Sequence, residues 1–391
     1  MDEAGLQALL SPSGSALLAG LPAYDEAGVL ALASRLRREG HSDVLVSAAL
    51  TQSRLRAGAR ANFGPEADRL LFTEEGLQQS TRASVAALHV RRYAEAGAGR
   101  VLDLCCGIGG DLLPLAAAGL AVTGVDRDPL TAAVARANVA ALGLRATVLI
   151  ADVTGVDLRG ATGVFVDPSR RTTRARIFHP AAYSPPLDAV LAMAEVVPAT
   201  GAKLGPGVPH GVLPRGAEAE WVSDGGDVLE CGLWFGPLAG SAARRATLLP
   251  SGTTVTGDGS ARAPVGPVGR FLHEPDGAVI RSGLVAEVAD PLGATLLDPT
   301  IAYLSTDAPV RSPFVTSYEV TEALPFGLKR LRGVLRARGV GSLTVKKRGT
   351  AVEPETLRRQ LRLRGDSAAT VVLTRVAGAQ TALLVEPVRD R

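Results

Sequence analysis

Four aspartates stand at the ends of short apolar runs in the middle of the chain: Asp103 in "VLDLCCGIGGD", Asp126 in "GVDRDP", Asp152 in "IADV" and Asp167 in "FVDPSRR". An ionised carboxylate accepts hydrogen bonds from hydroxyls and amines and balances a nearby cation. One such acid is ordinarily a turn or cap residue; four on consecutive strands at one edge of a sheet are hard to assign to caps. Gly107, Gly109 and Gly110 follow Asp103, and glycine lets a backbone approach a ligand in conformations other residues avoid. Asp126, about 20 residues further on, is placed to accept from both hydroxyls of a ribose. A nucleoside-containing cofactor is implied.

Details narrow its type. A dinucleotide site needs Gly-x-Gly-x-x-Gly, but counted from Gly107 the last position is Leu112, and Asp103 would face the two negative charges of a pyrophosphate. A cofactor with a cationic end suits Asp103 better, and Asp152 is placed to accept from an adenine amino group. The three cysteines, Cys105, Cys106 and Cys231, form no Cys-x-x-Cys and have no cluster of histidines beside them. No metal is expected, and Cys105 and Cys106 read as small side chains filling a tight strand end. His179 and His210 could accept protons but read more simply as incidental loop residues; Trp221, Trp234 and Phe235 read as core.

The elements that must position these residues alternate along the chain. Residues 1–75 read as a helical region, with "YDEAGVLALASRLRREG" at helical spacing, and "GLQQSTRASVAALHVRRY" reads as one further helix. Then come the strand "RVLDLCC", the helix "DLLPLAAAG" with Asp111 as N-cap, the strand "LAVTGVD", and a helix capped by Asp128 and opened by Pro129. Strands "ATVLIADV", "GVFVDP" and "AKLGPG" follow. The pattern predicts an α/β fold with a Rossmann-like, doubly wound sheet, whose ligand lies at the carboxyl ends of the strands. "EWVSDGGDVLECGLWFG" predicts a terminal antiparallel hairpin turning at Asp224-Gly225-Gly226-Asp227, and "RRATLLP" a third strand. Residues 251–316, rich in Gly and Pro, read as a connector with one helix, "DGAVIRSGLVAEVA". Residues 317–391 regain order as βαβαββ, a ferredoxin-like α+β domain. Four regions are therefore expected: 1–75, 76–250, 251–316 and 317–391.

Charge is unevenly spread. The chain carries +3 in total, but from Pro325 to Arg391 there are 15 Lys and Arg against 5 Asp and Glu, a net +10 on a body of −7. A basic module on an acidic body suggests a polyanionic partner. No run approaches the ~18 apolar residues of a membrane span, and the start lacks a basic then apolar leader. A cytoplasmic protein without a membrane partner is expected; its oligomeric state is not legible.

"VLDLCCGIGGD", "GVDRDP", "IADV" and "FVDPSRR" together resemble, in order and spacing, motifs I to IV of class I S-adenosylmethionine-dependent methyltransferases. "FVDPSRR", "FLHEPDGAVIRSGL" and "PFGLKRLRGVLRARGVGSLTVKKRG" are similar to bacterial methyltransferases with a THUMP-like C-terminal domain. The resemblance implies S-adenosylmethionine as cofactor, contacted by Asp103, Cys105, Gly107, Gly109, Asp126, Arg127, Asp152 and Val153, with Gln79 and Ser80 flanking its methionine end. It implies methyl transfer to nucleic acid, with RNA expected, and Asp167, Pro168 and Ser169 at the catalytic position. Arg170 and Arg171, and in the basic module Lys346, Lys347 and Arg348, are the candidate phosphate contacts.

Motif IV departs from the Asp/Asn-Pro-Pro-aromatic loop of base amino-methyltransferases, since Ser169 and Arg170 replace the second proline and the aromatic. The methylated atom therefore stays open. The string "DL-x-x-GIGG" also resembles cytosine-C5 methyltransferases, but their thiolate mechanism needs a cysteine this chain does not offer near motif IV, and Cys231 falls in mid-strand. Two other readings stand beside RNA methylation: a methyltransferase of protein or small molecule, and a non-catalytic RNA-binding protein with a vestigial cofactor pocket.

Overall fold

The computed structural model describes residues 1–169 and 179–388, so Arg170 and Arg171 lie outside the described residues. Six helices precede the first strand: α1 (Glu3–Leu10), α2 (Pro12–Gly20), α3 (Val29–Arg38), α4 (Asp43–Phe63), α5 (Glu74–Gln79) and α6 (Ala83–Glu95). Side chains of Asp2, Ser11, Ser42 and Thr73 accept from orphan N–H groups that open α1, α2, α4 and α5.

The stretch expected as one helix over 76–93 is two. Ser80 turns the backbone out of the helix (φ −60°, ψ 140°). Its hydroxyl donates to the Gly76 carbonyl at 2.9 Å, and the next hydroxyl, on Thr81, donates to a distant carboxylate. Short polar side chains that compete with the helical ladder break it here.

Strands and helices then alternate: β1 (Arg100–Leu104), α7 (Leu112–Ala117), β2 (Ala121–Asp126), α8 (Pro129–Leu142), β3 (Ala146–Ile150), β4 (Gly163–Val166), α9 (Leu187–Val196), β5 (Thr200–Leu204), β6 (Glu218–Asp224) and β7 (Asp227–Trp234). By compactness the chain forms two units, one of Met1–Glu218 with Glu230–Ser241, the other of Ala219–Leu229 with Ala242–Arg391. In the first unit β3-β2-β1-β4-β5 are parallel neighbours and β7 closes antiparallel on β5. The order reverses between β1 and β4, so the ligand crevice of such a sheet falls over the carboxyl ends of these two strands.

Val101, Leu102 and Leu104 of β1 and Val164, Phe165 and Val166 of β4 are all buried, the near-continuous apolar run of strands covered on both faces. Asn138 of α8, also buried, accepts from Leu71 N at 2.7 Å and donates to the carbonyls of Leu71 and Ile108 at 3.0 Å. One amide thus ties the chain before α5 to the turn after β1.

In the second unit β6, β8 (Arg244–Leu249) and β9 (Thr253–Gly257) are neighbours in that order, β6 parallel to β8 and β8 antiparallel to β9. The turn at Gly225 (φ 61°) and Gly226 (φ 90°) needs two left-handed residues, as the expected hairpin requires. There follow β10 (Phe271–Pro275), α10 (Gly277–Ser282), α11 (Val285–Leu292), β11 (Thr295–Asp298), β12 (Ile301–Thr306), β13 (Val315–Pro325), α12 (Leu328–Ala337), β14 (Val340–Lys347), α13 (Pro354–Leu361), β15 (Ser367–Val376) and β16 (Ala379–Pro387). They build a second sheet of order β11-β12-β10-β13-β16-β15-β14.

Residues 251–316 are thus more ordered than a connector: they hold β9 to β12, and two helices in place of one, because Gly283 (φ 76°) ends α10 in a left-handed cap. The tail has the expected βαβαββ order, with Leu331, Leu335, Leu357 and Leu361 of its two helices buried in one cluster with Leu343, Val371, Leu373 and Leu384. Among the described residues no helix is long and apolar enough to cross a membrane.

Candidate active site

The chain leaves β1 through a tight turn in which Cys105 (φ 64°) and Gly107 (φ 57°) are left-handed. Gly107 N donates to Asp126 Oδ2 at 3.0 Å and Asp128 N to Asp126 Oδ1 at 2.9 Å. Asp126 therefore locks the turn to the end of β2, and each of its oxygens keeps a further lone pair. A Cβ at Gly107 would meet nothing within 4 Å, so this backbone faces open crevice. At Gly110 the same atom would sit 3.1 Å from Thr81 N, which is why the break between α5 and α6 can lie against the turn.

Asp103 is buried, and its Oδ2 has no hydrogen-bond partner among the described residues. Burial first, then the charges of Asp111 and Asp167, push it well above the usual carboxylate range. Asp152 is exposed, and its Oδ1 accepts from the Thr154 N–H at 2.9 Å and hydroxyl at 2.5 Å, which hold its acidity below the ordinary value. Val153 beside it is buried. Gln79 donates its amide to Glu75 at 3.0 Å and Ser80 bonds Gly76, so both side chains are engaged within their own helix. Arg127 is exposed, with Nη1 3.4 Å from Ser184 Oγ.

Asp167 follows β4 directly, its N–H on the Leu104 carbonyl at 3.1 Å. Pro168 is buried. Ser169 exchanges backbone bonds with Ser184 at 2.9 and 3.2 Å. The three residues of motif IV thus rest on a fixed backbone beside β1.

Behind them runs a chain of charged groups that sequence reasoning missed. Asp111, expected as the cap of α7, holds the N-cap position but makes no side-chain cap bond. Its oxygens instead accept from Thr81 Oγ1 at 2.7 Å and face His89 Nδ1 at 2.7 Å. His89 Nε2 meets Glu230 Oε1 at 2.8 Å. Lys203 of β5 donates to Thr81 Oγ1 at 3.0 Å and to Asp167 Oδ2 at 2.7 Å, and leans towards the Gln79 carbonyl at 3.5 Å. His89, Asp111, Glu230, Thr81 and Lys203 are all buried, and the imidazole packs 4.8 Å from Phe165 and 5.3 Å from Trp234, centroid to centroid.

The charges follow from the pairing. Burial opposes protonation of His89, but Glu230 and Asp111 outweigh it and raise the ring to about 10, so it is an imidazolium. Burial likewise works against an ionised Asp111, and His89 overcomes it, holding the carboxyl below its ordinary value. For Lys203 burial is again the opposing influence, outweighed by Asp167, Glu230 and Asp111, which raise the ammonium. A buried charge without a partner costs several kcal/mol, so each member requires the others. The signals were present in the letters: Lys203 is the lone cation of an apolar strand and His89 sits on the apolar face of α6.

The donor set suits a cofactor with a cationic end and a nucleoside. The orphaned, buried Oδ2 of Asp103 can accept from an ammonium, the spare lone pairs of Asp126 from ribose hydroxyls, and the open backbone at Gly107 leaves room beside them. Among the described residues no group of three or more His, Cys, Asp and Glu is arranged to hold a metal.

In the second unit the candidate phosphate contacts are engaged with carboxylates. Lys346 Nζ lies 2.6 Å from Glu274 Oε2 and over the Tyr318 ring, and Arg348 Nη2 lies 3.7 Å from Glu274 Oε1 and over Tyr303. Lys347 pairs with Glu353 at 2.5 Å. Lys346 and Arg348 are thus brought together on Glu274 while Lys347, one residue along, turns to another partner. On and beside α12 and α13, Lys329, Arg330, Arg359, Arg362 and Arg364 are exposed and form no ion pair among the described residues.

Comparison with known proteins places these features. A family model described as a methyltransferase domain matches residues 101–166, one described as THUMP domain-like matches 315–387, and one described as a domain of unknown function matches 2–59. Two Mycobacterium tuberculosis proteins, from strains CDC 1551 and H37Rv and each named an uncharacterised S-adenosylmethionine-dependent methyltransferase, are 41% identical over 331 residues, 82% of this chain and 89% of theirs. A crystal structure from Porphyromonas gingivalis W83, of a protein assigned as a methyltransferase, covers 94% of this chain and 100% of its own with a TM-score of 0.72 at 20% identity. The fold is shared along nearly the whole chain.

Proposed function

The chain belongs to the S-adenosylmethionine-dependent methyltransferases, and on that premise we propose that its methyl acceptor is RNA, held through its backbone by the basic C-terminal module. The observation that carries this reading is the coincidence of charge and fold: the net +10 over Pro325–Arg391 falls on the segment similar to a THUMP domain. Lys and Arg that neutralise phosphates gain affinity from the counterions they release. In this reading Lys346, Lys347 and Arg348 exchange their carboxylates for phosphate, the exposed cations on and beside α12 and α13 add to the field, and Arg170 and Arg171 contact the strand near its target nucleotide.

The cofactor supplies a methyl group made electrophilic by the sulfonium that carries it. Asp103 accepts from its ammonium, Asp126 from its ribose and Asp152 from its adenine, while Cys105, Gly107, Gly109 and Val153 line it, Gln79 and Ser80 flank the methionine end and Arg127 stands by the ribose side. Asp167, on the loop fixed by Pro168 and Ser169, accepts a hydrogen bond from the acceptor group and turns its lone pair towards the methyl carbon. Rate enhancement then comes mainly from alignment of acceptor and methyl.

The test is transfer of label from methyl-labelled S-adenosylmethionine, by the full chain, to total RNA, DNA or protein from a strain lacking it. Label in RNA, lost on ribonuclease treatment, is the expected result. Label confined to protein or to small molecules would overturn the reading.

A further inference from the structure

Lys203 is a fully enclosed ammonium on a strand next to the reaction centre, with its protons directed at a hydroxyl and a carboxylate. Nothing in cofactor binding uses it. Removing one partner of a buried ion pair is destabilising, so Lys203 contributes to stability, but its ammonium also fixes the carboxylate next to it at 2.7 Å. Asp167 is the least buried member of the network, with its side chain 26% exposed against 6% for Lys203. It is therefore the end at which the buried chain of charges meets the crevice.

We propose that Lys203 is a positioning residue for methyl transfer: its ammonium holds the Asp167 carboxylate charged and aimed at the acceptor, while Thr81 and the His89–Asp111–Glu230 cluster hold Lys203. The inference rests on the reading of Asp167 as the acceptor-orienting group. Each link is a direct contact, from Glu230 through His89, Asp111 and Thr81 to Lys203 and Asp167, with no gap above 3.0 Å. Asp103 stands close enough for its carboxyl and that of Asp167 to repel each other when both are charged. Lys203 Nζ, 2.7 Å from Asp167 Oδ2, opposes that repulsion. Without it the carboxylate would lose a cation that favours its charged form and, with that, part of its preference for an N–H or O–H donor on the acceptor.

Lys203→Met and Lys203→Arg, with Thr81→Val as a milder variant, test this with the full chain and whichever acceptor takes label from the unchanged protein. For Lys203→Met, kcat should fall about ten- to a hundredfold, while the calorimetric affinity for S-adenosylmethionine stays within about twofold, a split that follows because Lys203 acts on alignment and not on binding. The acidic limb of its kcat profile should move up by about one to three pH units, the range over which an adjacent opposite charge shifts a carboxylate. Lys203→Arg should restore the limb and part of kcat, and Thr81→Val should shift the limb in the same direction by less. Unaltered kcat and pH limb in Lys203→Met overturn the proposal, and if that variant does not fold, an unaltered limb in Thr81→Val does so. Label that never reaches RNA with the unchanged protein sinks the RNA reading alone and leaves Lys203 to be tested on the true acceptor.

Discussion

The imidazole of His89 in α6 stands 2.7 Å from the carboxylate of Asp111, so the side chain that opens α7 is held by a ring from another helix and not by a cap bond to the helix it precedes. The glycine turn after β1 thereby gains a buried support from α6. The same ring holds Glu230 of β7 through its other nitrogen.

Replacing His89 by Gln should leave two buried carboxylates without their cation and destabilise the protein by about 3–5 kcal/mol. The sign of its pH dependence is fixed by the raised ring, at about 10 in the folded chain against about 6.5 unfolded. The stabilisation is whole below the unfolded value and fades as pH rises through the folded one. Asp111, depressed in the folded state, adds an acid limit below which its share is lost. Denaturant melts of both proteins from pH 5 to 10 check this: the gap between them should narrow steadily above neutrality.

Asp103 has the opposite character. Its carboxyl is raised well above the ordinary range by burial, so in the folded chain without cofactor it opposes folding at every pH above the unfolded carboxylate value of about 3.9. Asp103→Asn should therefore melt at or above the temperature of the unchanged protein near neutral pH, yet bind S-adenosylmethionine more than about tenfold more weakly, from loss of a charged hydrogen bond. Cofactor binding to the unchanged protein should release a proton as Asp103 ionises against the ammonium, visible as a buffer-dependent heat in calorimetry. Binding heat independent of buffer would count against this role.

Gly107→Ala separates fold from ligand. The backbone there is left-handed, which costs a non-glycine residue about 1–2 kcal/mol, but the added methyl meets no protein atom within 4 Å. A modest drop in melting temperature with a more than tenfold loss of cofactor affinity is expected, since in the proposed site the methyl would enter the cofactor's space. Equal affinity in the two proteins would place the ligand elsewhere.

RNA affinity should fall steeply with salt. Each phosphate-bound cation removed lowers the slope of log affinity against log salt by about 0.7–0.9. Alanine at Lys329, Arg330 and Arg359 should lower it by about two. Alanine at Lys346, Lys347 and Arg348 should lower it by less, because Glu274 and Glu353 already neutralise these three in the free protein. Slopes unchanged in both variants would remove the module from RNA binding.

Much of the first sheet was legible, because its strands are short, largely apolar runs with Asp103, Asp126, Asp152 and Asp167 in or just beyond their last residues. The hairpin was legible from its paired glycines. The break between α5 and α6 was not, since Ser80 and Thr81 lie within an otherwise helical pattern and the partner that draws Thr81 away, Asp111, with the space Gly110 leaves, lies 30 residues on. For the same reason the His89, Asp111, Lys203 and Glu230 network stayed hidden: its members are 141 residues apart at the extreme, and only the sheet order brings them together. Residues 251–316 were underestimated because strands of four to six residues between glycines and prolines give periodicity too little length to register.

In the proposed cofactor site the two adjacent thiols of the glycine turn would face a particular hazard, for a methyltransferase binds an alkylating agent. A thiolate there would be the best nucleophile in reach and would turn the enzyme into its own substrate. Burial first, and then the strand-edge carboxylates, push Cys105 and Cys106 far above the ordinary thiol range, so both stay protonated and sluggish. The acids assigned to the cofactor would thus add, after burial, to the protection against self-alkylation.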